Sequence, residues 1–405
     1  MDFVGVVLGG DMNTYGVARA FYEKYHKKTI VIGKHPLFPT SPSKIIEGYY
    51  YDSILEDDTL IKALTELNEK YPNTKKILFG NTDFYVEHIM KNRARIENIS
   101  NTYIIPMVKH EMFKELFCKE SFYKLCESFG LNYPKYQIFD FSKDKIDDYK
   151  VNFEYPIFIK PADTVIYSEY NFIGKQKGYK INNEEEFKKV INNIKQSGFK
   201  DKFIVQEYIE GNDESMFVIT AYVSKNHQVK VITAGKILMH DRTPELIGNY
   251  SAITNAYIED FSLQLKDFLE KIKFTGIGHF DVEYDIKRKK FYVFEMNIRQ
   301  GRSNFYTYAS GANLMEQIVD DYIYDKDNEF YIANNKYTVS IIPKFLLKYC
   351  LKKNGQNPEF GKFYRFALAS YDKKVLRYLY QLRWDYRIVK GYLKYNKKQV
   401  KMEQL

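Results

Sequence analysis

Residues 276–303 constrain this chain more than any other stretch. Two β-rich runs, 278–286 and 290–298, flank the basic turn Lys287-Arg288-Lys289, a pattern that predicts a hairpin. Alternate residues of a strand point to opposite faces. Asp281 and Glu283 therefore share a face of the first run, and Glu295 and Asn297 share a face of the second. Pairing the runs gathers these oxygen-bearing side chains on one patch, with Arg299 and Arg302 just beyond it. Hard oxygen donors beside two guanidinium groups suit Mg2+ carrying a polyphosphate. Acidic residues on the solvated face of an ordinary hairpin give the same pattern, so the rest of the chain must decide.

At 405 residues the chain exceeds one typical core, and two or three domains are expected. No run reaches the apolar length of a membrane helix. The N-terminal run Phe3–Leu8 stops at Gly9-Gly10, without the basic start or cleavage site of a signal peptide. A cytoplasmic protein is expected. Cys118, Cys126 and Cys350 are odd in number and lack metal-ligand spacing, which suggests reduced, buried thiols. The net charge of +9 is concentrated in the tail, where residues 344–405 carry 16 Lys and Arg against Glu359, Asp372, Asp385 and Glu403.

The chain opens with a strand over 3–8, a turn over 9–16, a helix over 17–25 and a second strand over 29–32, an order that predicts a doubly wound α/β unit. Gly9, Gly10 and Gly16 do not have dinucleotide-fingerprint spacing, which argues against NAD. The turns at Asp11–Asn13 and Asn81–Asp83 are candidates for holding a small polar substrate. Plain helix capping explains the same residues equally well. A single helix is expected over 112–129, carrying Lys119. The strand ending at Lys160 is informative, because an ammonium at the end of a buried strand is costly unless an anion meets it. Gly174-Lys175-Gln176-Lys177-Gly178 reads as a flap over phosphates or an exposed basic turn. Glu207, at a strand end, is placed to accept from an exocyclic amine beside a backbone amide, and Glu214 to take ribose hydroxyls. Arg242, in a polar loop, is a candidate for a substrate carboxylate.

In this order the residues resemble the ATP-grasp superfamily of carboxylate–amine ligases, and within it the D-aspartate ligase branch of Gram-positive cell-wall synthesis. The resemblance runs through Leu-Gly-Gly-Asp-Met-Asn-Thr-Tyr-Gly-Val-Ala-Arg (8–19), Tyr-Pro-Ile-Phe-Ile-Lys-Pro-Ala (155–162), Asp-Arg-Thr-Pro-Glu-Leu-Ile-Gly-Asn-Tyr (241–250) and Phe-Glu-Met-Asn-Ile-Arg-Gln-Gly-Arg-Ser (294–303). Ile298 stands where the superfamily's Glu-x-Asn-Pro-Arg ending has proline. The resemblance implies an α/β (α+β) ATP-grasp fold with a pre-ATP-grasp domain over 1–110, an ATP-grasp domain over 111–335 with a nucleotide lid near 135–210, and a basic, mainly helical extension over 336–405. It implies ATP with one or two Mg2+. Lys119, Lys160 and the flap Lys175 would meet phosphates, Glu207 and Ile209 the adenine, and Glu214 the ribose. Glu295 and Asn297 would bind metal with a third ligand, Asp281 or its rival Glu283. Arg299 and Arg302 would stabilise the acyl phosphate.

The expected substrates are an amino-acid carboxylate, D-aspartate first, and the lysine amine of a nucleotide-linked muramyl peptide. Another amino acid, a carboxylated sugar, or a non-catalytic nucleotide-binding module at the membrane surface are the alternatives. The tail reads as two or three amphipathic helices, either packed on the body or docked on anionic lipid at the inner membrane surface. No nucleic-acid module accompanies its charge.

Overall fold

The apolar run Phe3–Leu8 forms β1, buried along nearly its whole length, and is flanked by β2 (Thr29–Gly33), β3 (Ile46–Tyr50), β4 (Lys75–Gly80) and β5 (Tyr103–Ile104). In this computed structural model they pair in parallel in the order β3-β2-β1-β4-β5. The structure describes residues 2–163, 166–167, 169–211, 215–240, 250–301, 304–357, 359–366 and 369–397, with side chains to 392. The helix after β1 begins at Met12, earlier than the expected 17, because the Asp11 side chain accepts from the Thr14 amide and caps it. Gly9 lies at φ +116°, and a Cβ there would sit 2.0 Å from Asn81 Oδ1. The edge of the sheet closes on itself at this point because no side chain intervenes.

A second, antiparallel sheet holds β6 (Tyr136–Asp140), β7 (Ile157–Pro161), β8 (Tyr179–Ile181) and β9 (Lys202–Glu207) in the order β6-β9-β7-β8. The third sheet is the largest. It contains β10 (Met216–Val223), β11 (Val229–His240), β12 (Tyr250–Ala256), β13 (Gly276–Asp285), β14 (Lys290–Asn297), β15 (Tyr331–Ala333), β16 (Tyr337–Ser340) and β17 (Lys362–Arg365). Its order is β14-β13-β10-β11-β12-β16-β17, with β15 alongside β11. The predicted hairpin is therefore its outer edge.

The single helix expected over 112–129 is two, His110–Phe117 and Lys119–Ser128, separated at Cys118 with ψ 115°. The break makes Lys119 the first residue of its helix. Phe113, Leu116, Phe122 and Tyr123 of this pair are buried in the core that also holds Phe280, Val293 and Met296 of the hairpin. Cys118 is exposed, unlike Cys126 and Cys350, which corrects the expectation that all three thiols are buried.

The region beyond 336 is mainly helical and also supplies β16 and β17, which join the third sheet before and after the Lys344–Lys353 helix. Its last helix, Val375–Lys397, carries the fully buried ion pair Arg377–Asp372 at 3.1 Å, both halves of which reach residues 15–44. Asp372 accepts from Tyr15 Oη at 3.0 Å, Ser43 Oγ at 2.8 Å and the Lys44 amide at 2.6 Å. Arg377 donates to the carbonyls of Pro39 and Pro42 and lies 4.2 Å from the Tyr15 ring centre. This side of the tail is packed on the body. Among the described residues no helix is long and apolar enough to cross a membrane.

Candidate active site

Cross-strand register separates the two rival carboxylates. Asp281 pairs with Glu295 and His279 with Asn297, but the ladder slips after Asp281, so that Val282 meets Val293 and Glu283 meets Tyr292. Such a bulge re-aims side chains on its two sides. Asn297 Nδ2 lies 3.3 Å from Asp281 Oδ2 and 3.5 Å from Glu295 Oε1, so these three side chains converge. Glu283 stands apart, with its Oε1 2.1 Å from where a Cβ on Gly211 would be. Burial, with Asp285 beside it, pushes Glu283 up to about 7.

The converging carboxylates are charged unequally. Burial, then the adjacent Glu295, raises Asp281 well above the usual carboxylate range. Glu295 is held low despite burial, because Lys119 and Lys160 outweigh it. Lys119 Nζ is 3.5 Å from Glu295 Oε2. Lys160, from β7 of the second sheet, reaches over the Phe294 ring at 5.8 Å, and its enclosure, then the Lys119 charge, depresses its ammonium to about 7. Two unequally charged carboxylates and an amide thus stand together beside Lys119 and Lys160. Among the described residues no group of three His, Cys, Asp or Glu side chains makes a metal cage. The set here, two carboxylates and an amide with one side open to a ligand, is the kind on which Mg2+ sits with substrate phosphates.

Several neighbours were not foreseen. Tyr250 Oη donates to Asp281 Oδ1 at 2.6 Å. Buried His279 lies with its Nε2 3.9 Å from the same oxygen, while its Nδ1 meets Thr220 Oγ1 at 2.7 Å. Burial, then the charge of Arg299, keeps it neutral down to about 3. A Cβ on Gly301 would lie 2.4 Å from His279 Nε2, so glycine there lets the chain pass. His279 was visible in sequence as the residue two before Asp281 on the same strand face. Nothing local marked Tyr250, which arrives from β12.

Arg299 ties the end of the hairpin to the helix that follows β4. It holds Asp83 through two bonds, 2.7 and 2.8 Å, and donates to Asn297 Oδ1 at 3.2 Å. Asp83 is thus committed to orienting Arg299. Asn13, expected to face substrate, is buried and engaged: it donates to the carbonyls of Asn81 and Gln300, at 2.8 and 2.9 Å, and accepts from Asn304 at 2.6 Å. Asp11 accepts from Asn81 Nδ2 at 2.6 Å besides capping its helix. A narrow cavity of about 20 Å3 remains between these groups and Arg299.

Farther along the cleft, both Glu207 oxygens are taken by the protein, Oε1 by the Lys135 amide at 2.9 Å and Oε2 by Arg288 at 2.7 Å. The carboxylate expected to meet an adenine amine here staples the hairpin turn to the end of β9. Ile209 is buried beside it. Lys175, expected to cover phosphates, is held by the Tyr170 carbonyl and lies 5.1 Å from the Tyr167 ring centre, inside its own loop. Glu214, Arg242 and Arg302 lie outside the described residues.

No protein-family model matches the chain. A D-aspartate ligase from Enterococcus faecium (strain Aus0004) is 35% identical over 330 residues, covering 80% of this chain and 78% of that protein. The chain belongs to the D-aspartate ligase family. Solved structures place that family's fold. An N5-carboxyaminoimidazole ribonucleotide synthetase in its ADP complex superposes with TM-score 0.61 at 11% identity, over 95% of this chain and 97% of that one. The biotin carboxylase domain of 2-oxoglutarate carboxylase from Hydrogenobacter thermophilus, with MgADP, gives 0.59 at 15% identity, over 84% and 74%. An L-amino acid ligase from Bacillus licheniformis gives 0.55 at 12%, over 79% and 74%. The fold is ATP-grasp, and this D-aspartate ligase family member is an ATP-dependent ligase that joins a carboxylate to an amine.

Proposed function

We propose that the enzyme phosphorylates a carboxylate of D-aspartate with ATP and transfers the resulting acyl group to the lysine side chain of a UDP-linked muramyl pentapeptide, as a step of cell-wall synthesis in the cytoplasm. The observation that carries the chemistry is the convergence of Asp281, Glu295 and Asn297 opposite Lys119 and Lys160. The choice of D-aspartate rests on the relative's name. In this reading residues 1–110 receive substrate, 111–335 hold the nucleotide with a lid near 135–210, and 336–405 brace the first domain.

Each residue then has a task. Asp281, Glu295 and Asn297 would hold Mg2+, which neutralises phosphate charge when bound. Lys119 and Lys160 lie along the transferring phosphate, where positioning and charge supply most of the acceleration. The backbone at Glu207–Ile209 meets adenine, Glu214 the ribose, and Lys175 the phosphates once its flap turns inward. Arg299, held rigid by Asp83, neutralises the acyl phosphate and its tetrahedral successor together with Arg302. Asp11 and Arg242 bound the amino-acid site. The carboxylate oxygen attacks the γ-phosphorus and ADP leaves. The uncharged amine then attacks the acyl carbon, and phosphate leaves with the C–O bond. Phosphate release from ATP, measured over a panel of carboxylic acids with and without the muramyl precursor, tests this. Release is expected with D-aspartate, and its appearance with a different acid alone would replace the substrate.

A further inference from the structure

A second cavity, of about 430 Å3, opens between the loop after β2 and the Val375–Lys397 helix. Its volume is in the roughly 300–1,000 Å3 range of small-molecule sites. One wall is Phe38. The other is a helix stripe at positions i, i+3, i+4 and i+7, namely Tyr380, Arg383, Trp384 and Arg387. Phe38 meets Trp384 at 5.6 Å and Tyr380 at 6.4 Å between ring centres, so aromatic surface lines one end. Arg383 and Arg387 complete the lining.

The charge there is unbalanced. Arg383 and Arg387 are exposed, one turn apart, and no described acidic side chain pairs with either. Like charges at this spacing repel. Asp385, the acid between them, is taken by Arg365 at 2.6 Å and by Gln381 at 2.8 Å. The walls are also fixed in advance, because Arg377 ties the helix to the Pro39 and Pro42 carbonyls. The loop continues to the ligand edge of the first sheet, where Thr40 Oγ1 donates to the Gly10 carbonyl at 2.9 Å, next to Asp11.

We propose that this cavity binds the nucleoside diphosphate end of the amine substrate, with the base against Phe38, Tyr380 and Trp384 and the diphosphate on Arg383 and Arg387. Aromatic faces stack bases, and paired guanidinium groups match phosphate oxygens. The proposal rests on the reading that the acceptor is nucleotide-linked, and it assigns that handle a place outside the ATP cleft.

Trp384 is the chain's one tryptophan, so its emission reports the cavity directly. UDP titrated into the full-length protein without ATP should change that emission saturably, and uridine or pyrophosphate should do so only at higher concentration. Arg383→Gln with Arg387→Gln should weaken UDP by roughly tenfold or more, as should Tyr380→Ser, with the unfolding midpoint retained. Lys160→Ala should leave the response intact. The proposal is overturned if millimolar UDP gives no response, if Lys160→Ala abolishes it, which would place UDP in the ATP cleft, or if phosphatidylglycerol vesicles shift the emission and UDP does not. D-aspartate-dependent ADP release, assayed separately, shows which idea has failed: release without a UDP response sinks the cavity alone, and a UDP response without release sinks the D-aspartate reading alone.

Discussion

Replacing Arg377 by methionine should unfold the junction between the tail and residues 15–44. The side chain and its partner Asp372 are both fully buried. Without Arg377, the Asp372 carboxylate keeps three neutral donors, Tyr15, Ser43 and the Lys44 amide, but no countercharge. The Pro39 and Pro42 carbonyls lose their donor as well. Stranding one half of a buried pair costs about 3–5 kcal/mol, a large share of the roughly 5–15 kcal/mol that holds a typical domain together. Asp372→Leu should cost a similar amount by stranding the cation. The double replacement should cost less than the sum, because neither charge is then left alone. Urea unfolding followed by Trp384 emission measures all three. Single changes costing under about 1 kcal/mol would show that the pair behaves as a surface ion pair and that the tail is not anchored there.

Mg-ATP binding should exchange protons with a sign that depends on pH. Lys160 sits near 7, so at pH 8 about nine in ten molecules lack its proton, and polyphosphate binding should take up as much as ~0.9 proton. The raised Asp281 carboxyl must give up its proton to hold a metal, so on the acid side of neutrality metal binding should release protons. Affinity should therefore fall on both sides of neutrality. Calorimetry in buffers of different ionisation enthalpy measures this, and Lys160→Met should remove the uptake only. Asp281→Asn should lower kcat by about a hundredfold or more, whereas Glu283→Gln should leave turnover near wild type; equal losses would mean that the bulge does not separate them. Tyr250→Phe should cost about 10–100-fold through the orientation of Asp281, read as a raised Mg2+ requirement.

What the sequence made legible is what period and local chemistry control. The hairpin, the shared face of Glu295 and Asn297, and the β–turn–α–β opening all follow from repeats within a few residues. The choice between Asp281 and Glu283 was not legible, since both lie on one face and a bulge in the opposite strand decides it. Contacts between distant segments were equally hidden. Asp83 and Arg299 are 216 residues apart, and Asn13 and Asn304 are 291 apart; nothing in the sequence couples the members of either pair. Glu207 looked available because nothing in the sequence brings the basic turn that holds its partner Arg288 to the end of β9. The tail's two strands are four residues each, too short for alternation to stand out among its lysines.

Trapping the activated carboxylate tests the central claim most directly. Incubated with D-aspartate, Mg-ATP and hydroxylamine, the enzyme should form aspartyl hydroxamate and ADP in equal amounts, and Glu295→Gln, still folded, should form neither. Nucleotide binding without hydroxamate from any acid tried would contradict the account and leave the cleft a binding site alone.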